Sequence, residues 1–308
     1  MRIRSLFGLA GTVVLVIGGC YEGEFLTGLP CDEDADCARR SFCDAQLCGG
    51  RISPRGPGVA LGRPTDVPDG SEDAVTLVAS YDGMNLADPD EPPERWPFAH
   101  GYIDVVLDGE TFHRFVAGDG TAGEVAAVVD LGDRGQPGLH RLQATARDLE
   151  GALWDADESS DDAVFWVVDG TPRVDVVRPA DGSRAPRNRD LTVVASVADF
   201  RLVPPPGEMP GGVVPTDAGQ VAVFLHLDFP QCLPDCTVDD ALVRIGQGFG
   251  GGGSSRELAF TVGPGTLSPT PFERETVTMV FALVTDDGAF VSDGTGDVVH
   301  RRIELTWD

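Results

Sequence analysis

Seven cysteines are the side chains whose spacing most restricts the chemistry of this chain. Four of them, Cys31, Cys37, Cys43 and Cys48, lie within the 18 residues CDEDADCARRSFCDAQLC. That run holds too few apolar residues for a core, so cross-links must hold it together, and disulfides are the expected ones. Zinc is the competing chemistry, but structural zinc sites favour a Cys-x2-Cys knuckle, and these cysteines are separated by five, five and four residues. Four cysteines allow three connectivities, and spacing leaves all of them open. Asp32, Asp34 and Asp36 imitate the start of a calcium loop, yet its sixth position is Cys37 in place of glycine and its twelfth is Cys43 in place of glutamate. Cys232 and Cys236 flank Pro234 in a separate short segment and are expected to pair with each other. Cys20 is left alone.

Catalysis has little to work with. A nucleophile needs a base within hydrogen-bond reach, and the usual base is histidine. His100, His113, His140, His226 and His300 each stand singly in or beside strand-like segments, none with a second histidine at ligand spacing. No His-Glu-x-x-His, Gly-x-Ser-x-Gly or phosphate-loop pattern occurs. The run Gly246-Gln-Gly248-Phe-Gly250 is followed by no helical pattern, so it reads as a flexible loop and not as a dinucleotide cradle. Fifty acidic residues against 23 basic ones, every one of them arginine, set the formal charge at −27. A nucleic-acid partner is excluded, because phosphates demand a basic footprint. The acidity is diffuse and serves solubility. Carboxylate pairs suited to glycoside hydrolysis abound in such a chain, and nothing selects one. The chain is therefore not expected to be an enzyme, and a hydrolase is the least favoured function.

The lone Cys20 gains meaning from what precedes it. Met1-Arg-Ile-Arg4 is a short positive segment, and Leu6 to Ile17 is an apolar stretch of the length expected of a signal peptide, short for a membrane-spanning helix. It ends in Ile17-Gly18-Gly19-Cys20, which resembles the lipobox of bacterial lipoproteins. The resemblance implies diacylglycerol on the Cys20 sulfur, cleavage before that residue, and acylation of its amine, as with palmitate. Tyr21 stands where an inner-membrane retention signal would place aspartate, which implies the outer membrane of the cell envelope.

The remaining elements are strands, and they occur twice. TLVASYDGMNL at 76–86 matches TVVASVADFRL at 192–202, YIDVVLD at 102–108 answers VAVFLHLD at 221–228, and ARDLEGALW at 146–154 answers VTDDGAFV at 284–291. Three matches in one order make two copies of a fold. AVTLVAS, GYIDVVLD, EVAAVVDL, LHRLQATARD and AVFWVVD are strands of the first copy; RVDVV, LTVVASV, QVAVFLHLD, ALVRI, RELAFTV, ETVTMVFALV and VVHRRIELTW are strands of the second. LHRLQATA and HRRIELTW alternate apolar with polar residues, as a sheet with one wet face should. About seven short strands per copy suit a Greek-key sandwich. RPADGSRAPRNRDLTVVASVAD and VTDDGAFVSDG resemble bacterial immunoglobulin-like domains. The expected fold class is all-β: a signal peptide at 1–19, a lipid-anchored tether at 20–30, a Cys-rich module at 31–48, a linker at 49–57, and two tandem Ig-like sandwiches in series at 58–171 and 172–308.

The sandwich would gather one set of carboxylates. Its loop after the second strand and its loop between the last two strands emerge at one end. In the first copy these are 86–100 and 154–162, carrying Asp88, Asp90, Glu91, Glu94, Asp155, Asp157, Glu158, Asp161 and Asp162. Solvation is their bland role; calcium, which takes six to eight oxygens, or a basic partner is the sharper one. Trp166 and Trp307 lie in last strands and are expected in the cores, while Trp96 and Trp154 lie in loops where a sugar could stack. The function expected is a lipid-anchored, non-catalytic binding or structural component of the envelope. A calcium-dependent or carbohydrate-binding adhesin is the alternative, and a subunit of an envelope assembly comes third. No cofactor other than calcium is expected, and the partner is a protein or glycan.

Overall fold

The segment AVTLVASYD at 74–82 shows how this chain builds its sheets: Val75, Leu77, Ala79 and Tyr81 are buried, while Thr76, Ser80 and Asp82 face solvent. That period of two is what a strand with one covered face imposes. The computed structural model describes residues 43–44, 47–48, 57–68, 74–91, 100–154, 158–186, 189–203, 218–225, 237, 239, 241–245, 256–263 and 276–307. Among them there is no α-helix, and a 3-10 turn lies at Gly132–Arg134. Strands β1 (Cys43–Asp44) and β2 (Leu47–Cys48) form an antiparallel pair that sets Cys43 opposite Cys48. Cys20, Cys31, Cys37, Cys232 and Cys236 lie outside the described residues.

The first sandwich contains β3 (Gly58–Leu61), β4 (Val67–Pro68), β5 (Ala74–Asp82), β6 (Asn85–Leu86), β7 (His100–Leu107), β8 (Glu110–Phe115), β9 (Ala122–Asp130), β10 (Gly138–Asp148) and β11 (Ser160–Val168). The second contains β12 (Arg173–Arg178), β13 (Arg184–Ala185), β14 (Leu191–Ala198), β15 (Arg201–Leu202), β16 (Ala218–Leu225), β17 (Val243–Ile245), β18 (Arg256–Val262), β19 (Thr276–Thr285) and β20 (His300–Trp307). In the first, sheet β3-β5-β9 packs on sheet β4-β11-β10-β7-β6, with β8 beside β7; in the second, β12-β14-β18 packs on β13-β20-β19-β16-β15, with β17 beside β16. The two orders correspond strand for strand, so the duplication is structural. Among the described residues each copy has nine strands, two more than the pattern suggested. The extra ones are short because the first strand of each copy switches sheets: β3 pairs with β5, the chain turns through Gly62 and Pro64, and β4 pairs parallel with β11.

The repeat extends to details of hydrogen bonding. An Arg-Pro-x-Asp sequence lies at each sheet switch, at 63–66 and 178–181. Asp66 Oδ1 accepts the Trp166 amide at 3.1 Å, and Asp181 Oδ1 accepts the Glu304 amide at 2.7 Å, so each aspartate ties the switch to its last strand. The turns after β10 and β19 also coincide. Asp148 N–H donates to Ala152 O and Thr285 N–H to Ala289 O, with Gly151 at φ 86° and Gly288 at φ 87° supplying the left-handed residue. Gly101 and Gly219 open the equivalent strands β7 and β16, and a Cβ there would lie 2.2 Å from Arg147 O or 1.9 Å from Val284 O. These glycines let the returning turn press onto the sheet.

One core fills each sandwich. In the first, Leu77, Ile103, Leu107, Leu142 and Phe165 are wholly enclosed; in the second, Leu258, Met279, Phe281 and Leu305 are. Each such side chain contributes about 1.5–3 kcal/mol of burial. The second sandwich has a further apolar layer on the outer side of its larger sheet. Phe224, Val280, Ala282 and Val284 are covered there by Phe290, Val298 and Ala241, because the chain after β19 folds back through the pairs Val284–Phe290 and Ser292–Val298. A one-sided sheet would have left those positions wet.

Candidate functional site

The acidic pole is dispersed among the described residues. Asp88 and Asp90 follow β6 near Gly101, where Ala87 N–H donates to Gly101 O. Asp161 and Asp162 belong to β11, not to a loop as the sequence suggested, and Asp161 pairs with Ala144, four residues along β10 from Asp148. At roughly 3.3 Å per residue that is about 13 Å from the pole. Strand β11 begins early because Asp161 is a structural residue: its Oδ2 accepts the Leu61 amide at 2.8 Å and its Oδ1 the Asp162 amide at 2.9 Å. Asp88 Oδ1 is likewise engaged, accepting the Asp90 amide at 2.9 Å. Glu158 contributes its carbonyl to Val59 N–H, and Glu91 sits at the end of the Asp88 turn. Among the described residues no three carboxylate, histidine or cysteine side chains converge on a cation position. Glu94, Asp155, Asp157 and Trp96 lie outside those residues.

Two polar clusters that the sequence did not single out are built on the first sandwich. Asp108 and Gly109 form the two-residue turn between β7 and β8, both with positive φ, 50° and 89°. The turn sets Asp108 Oδ2 2.6 Å from His140 Nδ1, while His140 Nε2 lies 2.8 Å from the Gln136 carbonyl. Both partners are acceptors, so both ring nitrogens carry protons. Burial opposes that charge, but the Asp108 and Gln136 bonds outweigh it and raise the imidazole pKa above its ordinary value. Burial also opposes ionisation of Asp108, yet the His140 and Arg141 bonds hold its pKa below the usual carboxylate value. With both nitrogens engaged and Phe165 stacked on its ring at 5.4 Å, His140 is a structural cation and not a general base. Beyond it, Asp104 holds Arg114 Nε at 3.0 Å and Arg147 Nε at 2.8 Å, the latter an ion pair poorly angled for a hydrogen bond. Arg114 lies 4.4 Å over the Tyr102 ring.

The third feature joins the two sandwiches, and sequence reasoning missed it. Trp166 does not enter the core of its own sandwich as expected. Alternation along β11 turns Phe165 and Val167 inward and Val164 and Trp166 outward, where the second sandwich covers them. Trp166 Nε1 donates to Ser196 Oγ of β14 at 2.8 Å, and both residues are almost fully buried. Val164 and Leu139 pack on Val177 and Val194. Arg141 donates to the carbonyls of Val176 and Val177, and Arg63 pairs with Glu257 of β18 at 2.9 Å. Gly170 N–H donates to Asp199 Oδ2 at the crossing between the sandwiches. The two sandwiches meet face to face between sheets. One signal pointed to it: LTVVASVA is buried at every position but Thr192, whereas a one-sided strand needs alternation. Trp154 packs at the edge of the first core.

The strand order defines tandem immunoglobulin-like Greek-key sandwiches. No known protein family matches the sequence, and no curated protein matches it either. Similar solved structures include Clostridium thermocellum CbhA fibronectin(III)-like modules, 8% identical over 81% of this chain and 94% of that one, with a TM-score of 0.22. A Porphyromonas gingivalis W83 protein of unknown function is 11% identical over 82% and 99%, with a TM-score of 0.20. The DIP-gamma IG1+IG2 pair is 9% identical over 81% and 97%, with a TM-score of 0.19. Likenesses at this level carry no functional argument, and the sandwich assignment stands on the chain's own strand order.

Proposed function

We propose that this chain is a lipid-anchored, non-catalytic component of the cell envelope, acylated at Cys20 and held at the outer membrane, whose sandwiches bind protein surfaces through their sheet faces. The observation that carries the binding role is the Trp166 interface. A buried indole donating to a hydroxyl, an arginine–glutamate pair and a small apolar patch are the ingredients of specific protein recognition. The anchor rests on the Ile17-Gly18-Gly19-Cys20 sequence. Three or so acyl chains on one residue hold a protein firmly, since each buried methylene contributes about 0.8 kcal/mol. Metabolic labelling with a fatty-acid analogue tests the anchor: the wild type should label and sediment with membranes, and Cys20→Ser should do neither. A labelled, sedimenting Cys20→Ser chain would overturn it.

A further inference from the structure

The face of β14 and β18 that receives the first sandwich has a duplicate elsewhere in the chain. Across β14 and β18 the outward pairs are Thr192–Thr261, Val194–Ala259 and Ser196–Glu257. Across β5 and β9, the equivalent strands, they are Thr76–Val128, Val78–Ala126 and Ser80–Glu124. Five of the six residues are identical at the same register, and the sixth exchanges Thr261 for Val128. In the second sandwich Ser196 accepts the Trp166 indole, Glu257 pairs with Arg63, and Val194 packs on Val164. In the first, Ser80 and Glu124 are exposed, and Val128, at 75% exposure, is the most exposed large apolar side chain among the described residues. Ser80 Oγ rests on the Ala60 carbonyl at 3.4 Å, which leaves its oxygen able to accept an indole N–H.

We propose that this outward face of β3-β5-β9 is a second acceptor for the Trp166-bearing sheet, and that its occupant is the first sandwich of a second copy of this chain whose own internal contact has opened. The proposal deepens the binding reading by naming the partner. The matching donor is already defined within the molecule: Arg63 for Glu124, Trp166 for Ser80, and Val164 with Leu139 for Val78. The second sandwich offers no such donor. Register places Thr276, Thr278, Glu304 and Thr306 where the first has Leu139, Arg141, Val164 and Trp166. Each chain therefore has one donor face and two acceptors. The internal acceptor holds the donor because only residues 169–172 separate β11 from β12, and so short a tether gives an effective concentration on the order of millimolar. Disabling the internal acceptor redirects the donor to the open one.

The test uses the full chain carrying Cys20→Ser, so that acyl micelles do not contribute to its mass. Adding Ser196→Lys and Glu257→Lys blocks the internal acceptor. Light scattering after size exclusion should then show concentration-dependent head-to-tail association. Further addition of Ser80→Lys and Glu124→Lys should return the mass to that of a single chain. Near-ultraviolet circular dichroism checks that each variant is folded. If the lysines unfold the second sandwich, Ser196→Ala with Glu257→Ala removes the same two bonds without adding charge and is read in the same way. A folded variant that stays single at 100 μM, a concentration set by the roughly micromolar-to-millimolar range of weak association, would overturn the proposal. So would association that survives the Ser80 and Glu124 substitutions. Either failure leaves the Cys20 labelling result, and the anchor reading with it, untouched.

Discussion

The Trp166–Ser196 bond allows a double-mutant cycle whose terms follow from burial. Trp166 is 1% exposed and its Nε1 has one hydrogen to donate. Ser196→Ala strands that buried donor at a cost of about 1–3 kcal/mol. Trp166→Phe removes the donor together with part of the ring, at about 1–3 kcal/mol from the lost bond and the volume left behind. In the double variant there is neither donor nor acceptor to strand, so its cost should fall short of the sum by about 1 kcal/mol. Urea unfolding followed by near-ultraviolet circular dichroism measures all four proteins, because that signal reports the packed aromatic residues of both sandwiches. Breaking the contact should also separate the unfolding of the two sandwiches into distinct transitions, since a shared interface makes them cooperative. Additive costs, within about 0.3 kcal/mol, would refute the reasoning by showing that indole and hydroxyl do not interact.

Gly219→Ala should cost about 3 kcal/mol or more and lower the melting temperature by about 10 °C, because its Cβ would fall 1.9 Å from the backbone oxygen of Val284, which cannot swing aside. The His140–Asp108 pair should make stability depend on pH from both sides. His140, with its raised pKa, contributes fully below the ordinary imidazole value, and that contribution is lost as pH rises through the raised one. Asp108, with its lowered pKa, contributes above the ordinary carboxylate value and loses its share as pH falls through the lowered one. Stability measured by urea unfolding should therefore decline as pH rises past the ordinary imidazole value and through the raised one, and His140→Gln should flatten that limb; an unchanged slope would exclude the charged imidazole. In the amino-terminal module, mass mapping of non-reduced protein should join Cys43 to Cys48, which β1 and β2 set directly opposite each other, leaving Cys31 for Cys37.

Most long strands were legible because their chemistry is local: alternation along 74–82 and 138–148 reports a core on one side whatever lies beyond. The short strands were not, since β4 and β13 are two residues long and owe their pairing to an aspartate at the sheet switch, a contact about 100 residues away in sequence. Asp161 misled for the same reason, its carboxylate being used on the distant Leu61 amide. The unbroken apolar runs of β16 and β19 did carry information, namely that both faces of that sheet are covered. What covers them was not readable, because the second layer over Phe224 comes from a polar-looking return after β19. Trp166 was legible as buried but not as shared, since burial by a neighbouring domain and burial by one's own core leave the same mark on a strand.

The parallel pairing of β4 with β11 and of β13 with β20 has a mechanical consequence. In each sandwich the chain enters along one strand and leaves along its neighbour in the same direction, so the points of entry and exit lie toward opposite ends. Tension applied along the chain would then pull these strands past each other lengthwise. The Asp66–Trp166 bond in the first sandwich, and the Gly182–Glu304 and Thr306–Ser183 bonds in the second, would bear that load together and not in succession. A chain tethered at one end and gripped at the other would resist as a rivet does, until several bonds gave way at once.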